Sequence, residues 1–424
     1  MDILLVAVNR SREIMPCMPV GIACLLPLLK KHTVKVMDLF WESQPEEALR
    51  KTIQQSQPHL VGFSIRNIDN QLWSRPEYYL PQVKRYIEVV KKEAPIPVVV
   101  GGAGYSIFPH AALDYVGADW GIAGDGELSF PQLLETIESD GNPAGIPGLI
   151  APGTAGRRSA LARIKDYGQI PLPEWNVLRV QDYLEQKGSL SLLSKRGCSY
   201  NCLYCDVPAR EGYQARGKNP QRLVDEMELA FHMGVAEVFI ADNIFNYPQD
   251  YARAVAEEIL RRNIKIKWSA TLHPLGIDGE DMRILRRSGL RFASLGPDTG
   301  SPEMLKRLQK GFSLEEVWHL IGLLKENGIG FFLSILLGGP GETHSTVEES
   351  LRFASKAEAA FTTFRLGIRI TPLTGLSQIA LQEGVLKPTD NLMIPHFYMN
   401  KNIQDWVGDY LRANFSGNPR VLIQ

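Results

Sequence analysis

Three cysteines stand close together near the middle of the chain, in the run Lys195-Arg-Gly-Cys-Ser-Tyr-Asn-Cys-Leu-Tyr-Cys205. This C-x3-C-x2-C spacing supplies three thiolates, one fewer than a 4Fe-4S cluster normally takes. The remaining cysteines, Cys17 and Cys24, lie far upstream, and neither is an obvious fourth ligand. The pattern therefore predicts a 4Fe-4S cluster held by Cys198, Cys202 and Cys205, with one iron open to a substrate or cofactor.

A zinc site is the main alternative to an iron-sulfur cluster. Zinc would require a fourth Cys or His ligand near the three cysteines. Between Cys205 and residue 235 the only histidine is His232, which falls on a predicted helix. The sequence therefore favours the cluster over zinc.

Composition narrows the class of protein. A chain of 424 residues with 44% hydrophobic content is long enough for two domains. Five cysteines, three of them clustered, do not form a disulfide framework, which indicates a reducing, cytoplasmic compartment. A net charge of -1 without a basic tract argues against a nucleic acid partner. The apolar start at residues 1–8 is too short to span a bilayer and predicts a buried strand, so we expect no transmembrane segment.

Strand-like and helical patterns alternate along the first part of the chain. Apolar runs at 2–8, 33–37, 59–64, 97–100 and 119–122 are separated by helical periodicity, which is typical of a parallel doubly wound sheet. We therefore predict an α/β protein whose residues 1–140 form a Rossmann-like domain. Residues 141–185 are rich in Gly, Pro and Ala and are interpreted as a linker.

The alternation resumes after the linker. Strand-like runs lie near 189–194, 236–241, 265–270, 291–296, 329–336 and 362–368. Six such units predict a partial (β/α)6 barrel over residues 186–390. Residues 391–424 are expected to form a short C-terminal segment.

Glycines and polar residues follow three strands of the first domain, where a parallel sheet binds ligands. They are Gly101, Gly102 and Gly104 after strand four, the Gly124–Glu127 turn after strand five, and Ser64 to Asn70 after strand three. Without side chains, these glycines would let a bulky ligand approach the backbone. Ordinary tight turns are the alternative for each run taken alone.

Together, the cysteine motif and these strand ends resemble the cobalamin-dependent branch of the radical S-adenosylmethionine (radical SAM) superfamily. The resemblance implies a cobalamin-binding first domain, a 4Fe-4S cluster, and SAM bound at the open iron. Around cobalamin it implies contacts from Ser64, Arg66, Asn67, Gly101, Gly102, Gly104, Gly124, Gly126 and Glu127.

The chain departs from the pattern of cobalamin mutases, in which a histidine after the first strand ligates cobalt from below. Residues 9–21 contain no histidine. The resemblance then suggests Arg66, or its neighbours Asn67 and Asn70, beneath the corrin, where a cation would favour low-coordinate cobalt. Arg66 is thus a candidate catalytic residue. An ion pair with Asp69 or another acidic residue is the alternative for Arg66.

The resemblance also implies SAM contacts in the barrel. It gives Asp242 the SAM amino group, Asp298 the ribose hydroxyls, and Gly339 the adenine, in turns that resemble those of the family. Tyr204 and Ser301 are the further expected contacts. For Glu342 and Thr343, after Gly339, capping of the next helix is the alternative to a SAM contact.

His273 follows the third strand of the barrel and is the second candidate catalytic residue. At the barrel mouth it could act as a general base. A structural histidine, buried and hydrogen-bonded, is the alternative and is favoured.

The resemblance implies a cobalamin-dependent C-methyltransferase that moves a methyl group from SAM, via methylcobalamin, to a carbon of a small-molecule, lipid, tetrapyrrole or peptide substrate. Within that family, the Ser64 to Asn70 stretch resembles that of the tryptophan methylase type. A ring-forming or ring-rearranging oxidoreductase without methyl transfer stays open as an alternative, and a cobalamin-binding sensor is disfavoured by the intact cysteines. An external electron donor such as flavodoxin or ferredoxin is the expected partner.

Overall fold

The computed structural model describes residues 1–12, 15–153 and 161–424. The chain forms two compact units. The first consists of Met1–Asn70 and Tyr78–Ser191, and the second of Gln71–Glu77 and Leu192–Gln424.

The first unit is built on a sheet whose described strands run in the order β2-β1-β3-β4-β5-β6. The strands are parallel except β6, which pairs antiparallel with β5. The strands are β1 (Asp2–Ala7), β2 (Thr33–Asp38), β3 (Leu60–Ser64), β4 (Val98–Gly101), β5 (Trp120–Ile122) and β6 (Leu149–Ile150). The helices are α1 (Val20–Leu25), α2 (Pro45–Ser56), α3 (Leu80–Glu93), α4 (Pro109–Val116), α5 (Gly126–Glu138) and α6 (Val180–Glu185).

Apolar periodicity explains why these segments pack as they do. In α3, Val83, Ile87 and Val90 recur at intervals of three and four residues, so they lie on one face, and all three are buried. Strand β1 is buried from Ile3 onward, as expected for a central strand covered on both faces. The resulting order places the ends of β3, β4 and β5 next to one another.

The second unit contains a larger sheet with the order β17-β14-β13-β12-β11-β10-β7. Its strands are β7 (Leu190–Leu192), β10 (Glu237–Ile240), β11 (Lys267–Thr271), β12 (Leu290–Asp298), β13 (Gly330–Leu337), β14 (Phe361–Leu366) and β17 (Val421–Ile423). Two small antiparallel pairs accompany it, formed by β8 (Lys195–Arg196) with β9 (Arg216–Gly217) and by β15 (Ile368–Arg369) with β16 (Phe397–Tyr398). The helices are α7 (Val207–Glu211), α8 (Pro220–His232), α9 (Tyr251–Arg262), α10 (Gly279–Ser288), α11 (Pro302–Arg307), α12 (Leu314–Glu326), α13 (His344–Ala357), α14 (Gly375–Gln382) and α15 (Val407–Phe415).

Helix ends in the second unit are set by local sequence. Asp278 and Asp281 form a capping box at the start of α10, and Gly289, with φ 118°, ends it in a conformation that favours glycine. Each helix returns the chain so that the next strand runs parallel to the last, from β10 through β14. The carboxyl ends of these strands therefore lie at one end of the sheet, where the polar residues of the motifs gather.

The predicted fold class is confirmed: a doubly wound parallel sheet and a partial barrel, with the strands where the apolar runs placed them. Two segments differ from the expected boundaries. Strand β6 lies within the predicted linker 141–185 and extends the first sheet, and residues 161–185 also belong to the first unit; positions 154–160 lie outside the described residues. Strand β17, in the predicted C-terminal segment 391–424, pairs with β14 and extends the second sheet.

Within the described residues, no helix is long and apolar enough to cross a membrane.

Candidate active site

The cysteine loop lies between β8 and α7 of the second unit. The Cys198 amide donates to the Gly212 carbonyl at 3.1 Å, and the Cys205 amide to the Cys202 carbonyl at 3.0 Å. Gly197 begins the loop with φ 95°, and an added Cβ there would lie 2.3 Å from the Gln214 carbonyl oxygen, so only glycine fits. The loop is thus held by one main-chain bond within it and one to the residue that follows α7, and its cysteines are half-buried and free of disulfides.

The three thiols lie in a setting that disfavours thiolate unless a cation is bound. Burial raises the pKa of each thiol, that of Cys205 to about 12. Cys198 and Cys202 are both among the charges that raise the pKa of Cys205, so the three groups are electrostatic neighbours. A bound metal centre reverses this preference, because coordinating thiols are deprotonated.

In the part of the chain that the structure describes, no group of three or more His, Cys, Asp or Glu is arranged to hold a single metal ion. A 4Fe-4S cluster makes a different demand, since each thiolate binds its own iron.

Asp242 follows β10, as predicted, but the ammonium that it binds belongs to the protein. The Lys195 Nζ lies 2.7 Å from Asp242 Oδ2, and both side chains are buried. Asp242 also accepts from the Ser194 amide at 2.8 Å, the Lys195 amide at 3.1 Å and the Ser194 hydroxyl. The expectation that Asp242 takes the SAM amino group is therefore corrected: the side chain ties β8 to the end of β10.

Asp298 ends β12 in a left-handed conformation, with φ 67°. Its Oδ2 accepts from the Tyr204 hydroxyl and lies 2.6 Å from the Lys310 Nζ. Its Oδ1 accepts no hydrogen bond from any described residue. Asp298 thus connects the cysteine loop, through Tyr204, to a buried lysine, and keeps one oxygen for a ligand.

The turn after β13 is held from within by Glu342. Its Oε2 accepts from the Gly338 amide at 2.6 Å and the Gly339 amide at 3.0 Å, whereas its buried Oε1 has no partner in the described part of the chain. Burial raises the pKa of Glu342 to about 7. Thr343 accepts from the Thr346 amide and caps α13, so the capping alternative holds for Thr343 and not for Glu342.

Ser301 precedes α11 and is fully buried. Its amide donates to the Thr299 hydroxyl at 3.1 Å, and its own hydroxyl has no partner among the described residues. The hydroxyl is therefore available to a ligand only if the loop opens toward it.

His273 is packed between aromatic rings. The Tyr200 ring stacks on it with centroids 4.1 Å apart, and the Phe312 ring meets it edge-on at 5.0 Å. Burial lowers the pKa of His273 to about 4, so the ring is neutral near pH 7. The packing supports the structural alternative, since Tyr200 lies within the cysteine loop and His273 holds it in place.

The glycines of the first unit allow main chain to approach main chain. An added Cβ on Gly102, which has φ 107°, would lie 2.6 Å from the Ile65 carbonyl oxygen, and one on Gly104 would lie 2.8 Å from the Arg66 carbonyl oxygen. On Gly124 it would lie 2.2 Å from the Ala162 carbonyl oxygen. These three glycines are thus required by contacts within the protein, which supports the tight-turn alternative at these positions.

Gly101 and Gly126 are less restricted. Added Cβ atoms would lie 3.4 Å from the Ile122 carbonyl oxygen and 3.6 Å from a Leu25 methyl group, which are ordinary contacts. Gly126 begins α5, and Glu127 lies in its first turn. Packing within the protein therefore does not explain why Gly101 and Gly126 are glycines.

Arg66 lies exposed after β3 and forms no ion pair with a described residue, so the alternative of a bond to Asp69 is wrong. Its Nη1 lies 3.2 Å from the side-chain amide of Asn67 when that amide is oriented to accept. Ser64, two residues earlier, is half-buried at the end of β3. An exposed cation without an ion pair among the described residues therefore stands at the end of β3.

Comparison with known proteins assigns a family to each unit. Residues 192–354 match the Radical SAM superfamily, and residues 15–134 match the B12 binding domain. The chain belongs to the cobalamin-dependent radical SAM enzymes.

Relatives of this radical SAM enzyme agree with that assignment. Tryptophan 2-C-methyltransferase of Streptomyces laurentii is 26% identical over 409 residues, covering 81% of this chain and 68% of the relative. An anaerobic magnesium-protoporphyrin IX monomethyl ester cyclase of Rubrivivax gelatinosus is 24% identical over 354 residues, covering 79% of this chain and 61% of the relative.

Among solved structures, the radical SAM methyltransferase TsrM of Kitasatospora setae, with tryptophan and a SAM analogue bound, has the same fold. It superposes with a TM-score of 0.88 at 24% identity, covering 100% of this chain and 91% of that one. The predicted family and its three cofactors, the 4Fe-4S cluster, SAM and cobalamin, are confirmed.

The residues of this radical SAM enzyme fit two of its cofactors on direct observation. Three free, mutually close thiols at Cys198, Cys202 and Cys205 suit a cluster with one open iron. Asp298 Oδ1 is a polar atom without a hydrogen-bond donor among the described residues, as a SAM site requires, whereas the unpartnered Ser301 hydroxyl is fully buried. For cobalamin, the exposed cation of Arg66 is the corresponding observation.

Sequence reasoning missed the lysines of the site. Lys195 and Lys310 are buried, at 6% exposure each, and pair with Asp242 and Asp298. Lys195 stands three residues before Cys198, and Lys310 lies in the connection between α11 and α12, so neither position carries a motif. The signal that could have pointed to these lysines is a general rule: a buried carboxylate requires a cationic or hydrogen-bonding partner.

Proposed function

We propose that the protein transfers a methyl group from SAM, by way of cobalamin, to a carbon atom of a small-molecule substrate. The observation that carries this proposal is the pairing of an intact three-cysteine loop in one unit with a B12-binding match in the other. An amino acid is the substrate class to test first, and tryptophan the first compound, because one relative is named for it and the solved structure with the same fold contains it as substrate.

Each unit contributes residues to this function. In the second unit, Cys198, Cys202 and Cys205 hold the cluster, and Tyr204, Asp298, Ser301 and Gly339 line the SAM site. In the first unit, Ser64, Arg66, Asn67, Gly101, Gly126 and Glu127 contact cobalamin, with Arg66 the candidate beneath the corrin. When bound, these cofactors supply the electron transfer and the methyl-carrying chemistry.

The chain's own groups position and shield the cofactors. Lys310 is a buried cation whose charge acts on the Cys202 thiol, so it favours the negative charge of a thiolate-bound cluster. His273 is neutral and stacked on Tyr200, and it fixes the cysteine loop. We further propose a cytoplasmic location and an external one-electron donor such as flavodoxin or ferredoxin.

A second candidate is radical ring formation without methyl transfer, and the similarity to the Rubrivivax gelatinosus cyclase favours it. The products of SAM distinguish the two. A methyltransferase forms S-adenosylhomocysteine, whereas a radical cyclase forms 5'-deoxyadenosine and methionine.

The test is anaerobic purification with iron and cobalamin supplied, followed by metal analysis, an absorption spectrum and chromatography of SAM products with L-tryptophan. Cobalt together with about four irons per chain and formation of S-adenosylhomocysteine would support the proposal. Iron without cobalt, or 5'-deoxyadenosine alone, would contradict methyl transfer through cobalamin.

A further inference from the structure

Arg365 is an arginine in the middle of a buried strand. It lies in β14 between Phe364 and Leu366, which are 0% and 4% exposed, and is itself half-buried. In the sheet it is the register partner of Leu336 on β13. Paired residues on neighbouring strands share a face of the sheet, and Leu336 packs in one cluster with Leu203 of the cysteine loop. Arg365 therefore faces the interior of the second unit, on the side of that loop.

The guanidinium of Arg365 has no partner there. Over residues 1–12, 15–153 and 161–424 it forms no hydrogen bond and no ion pair. A guanidinium presents five donors and does not lose its proton. None of the Arg365 nitrogens is among the fully buried side-chain atoms that lack a partner, so these donors stay accessible to a ligand. Burial lowers the pKa of Arg365, and the Asp298 carboxylate is the charged group that opposes this shift.

The neighbouring carboxylate does not neutralise this cation, because Asp298 already pairs with Lys310 at 2.6 Å. Counting Asp298 as -1 and Lys310 and Arg365 as +1 each leaves a net charge of +1 among the three. The iron-sulfur cluster is not the counter-ion of Arg365 either. Lys310 acts electrostatically on the Cys202 thiol, whereas no cysteine is among the groups that act on Arg365. Arg365 is thus a half-buried positive charge without a counter-ion among the residues that the structure describes.

Arg369, four residues further on, is an arginine with a structural role, and its hydrogen bonds can be compared with those of Arg365. Its Nη2 donates to the Leu392 carbonyl at 2.8 Å, and its Nη1 to the Ile370 carbonyl. No described carbonyl accepts a hydrogen bond from Arg365. Arg365 is therefore arranged to receive a partner and not to fix the chain.

We infer that Arg365 binds the carboxylate of a small molecule held inside the second unit, either the substrate or SAM. A planar guanidinium and a carboxylate form paired, charge-assisted hydrogen bonds, which supply both affinity and orientation. The inference rests on the proposed function and narrows it. If the carboxylate is the substrate's, the substrate is an acid such as an amino acid and not a neutral lipid.

The test compares ligand pairs that differ in the carboxylate. Calorimetry on the anaerobically reconstituted enzyme gives Kd for S-adenosylhomocysteine and for 5'-methylthioadenosine, and for L-tryptophan and tryptamine. The variants are Arg365→Gln and Arg365→Lys, and the control is Arg352→Gln, an exposed arginine paired with Glu348 on α13. Thermal unfolding of each variant confirms that it folds.

We expect Arg365→Gln to raise Kd by about tenfold to a hundredfold for one carboxylate ligand, with the carboxylate-free partner unaffected and Arg352→Gln like wild type. Arg365→Lys should fall between. A rise confined to S-adenosylhomocysteine assigns the SAM carboxylate, and one confined to L-tryptophan assigns the substrate.

An unchanged Kd for every carboxylate that the wild type binds overturns the inference, as does a wild type that binds neither carboxylate. Binding is measured without turnover. Failure of the proposed function is seen separately, as the absence of cobalt or of S-adenosylhomocysteine formed from SAM.

Discussion

At the strand ends of the second unit, charged side chains meet one another, whereas at the strand ends of the first unit, glycines bring main chain against main chain. Lys195 is buried against Asp242, and Lys310 against Asp298. In the first unit, Gly102 and Gly104 leave room for the carbonyls of the β3 loop. The same kind of sequence position, the end of a parallel strand, is thus used in two physical ways.

The difference follows from what each end must hold. A cluster with buried thiolates needs cations nearby and a loop that does not move, and both demands are met by side chains that pair across distant strands. A large flat cofactor needs strand-end loops packed tightly and close to the sheet, and glycines achieve this because they allow close contact between backbones. Polar residues at strand ends are therefore evidence of a site, but each one must be checked for a partner within the protein.

Removing a cluster ligand should have the largest effect. We expect Cys202→Ala to reduce iron from about four atoms per chain to less than about one and to abolish SAM cleavage, because the cluster loses one of three thiolates. Iron analysis and chromatography of SAM products measure both. Cys17→Ala, which removes a thiol that donates to the Met15 carbonyl in the first unit, is the control and should retain iron. A Cys202→Ala protein with full iron and SAM cleavage would contradict the cysteine assignment.

Breaking the ion pair at β10 tests whether Asp242 is structural. Lys195→Met leaves the Asp242 carboxylate buried without its cation, and we expect the free energy of unfolding to fall by about 3–5 kcal/mol. In Lys195→Met/Asp242→Asn the buried charge is gone, so most of this loss should be recovered. Chemical denaturation of the two single variants and the double variant gives the coupling. If the stability losses of the two single variants simply add in the double variant, Asp242 is again a candidate to bind the SAM amino group.

Substituting a glycine of the first unit tests the other half of the comparison. Gly102→Ala adds a Cβ 2.6 Å from the Ile65 carbonyl oxygen at a position with φ 107°, and should cost about 2–4 kcal/mol. Gly117 is the matched control, because it has φ 74° but nothing within 4 Å of an added Cβ. Gly117→Ala should cost only about 1 kcal/mol, from the left-handed backbone alone. Equal losses in urea denaturation would mean that close packing is not the reason for Gly102.

The sequence predicts what is local and misses what pairs across the fold. Strands such as β1 and β13 are buried apolar runs, and their bounds follow from composition and period. Strands β6 and β17 have two and three residues, which is too few for a sequence pattern. They are strands because they pair with the edge strands β5 and β14. The Lys195 and Asp242 pair spans 47 positions, so its partners cannot be matched without the fold.

The cofactors were predictable for a related reason. Cys198, Cys202 and Cys205 lie within one loop, so their spacing alone describes the ligand set. Arg365 carries no such signal, because an arginine in an apolar strand looks like an edge or surface residue until its neighbours are known. Its lack of a partner is a property of the three strands β12, β13 and β14 together.

The pH dependence of stability that Glu342 causes should be the smallest of these effects. It sharpens the comparison of the two kinds of strand end, because this carboxyl group accepts from backbone amides and has no cation as partner. Its pKa is about 7 in the folded protein against 4.5 ordinarily, so the native state binds more protons than the unfolded state between these values. Its contribution to stability is therefore fully present below pH 4.5 and is lost as the pH rises toward 7. We expect the free energy of unfolding of the wild type, relative to Glu342→Gln, to fall by roughly 1–3 kcal/mol between pH 5 and 8. Denaturation curves for both proteins at each pH isolate this group from other carboxyls. Parallel pH profiles would mean that Glu342 stays ionised, and that its buried Oε1 finds a donor which the folded chain alone does not provide.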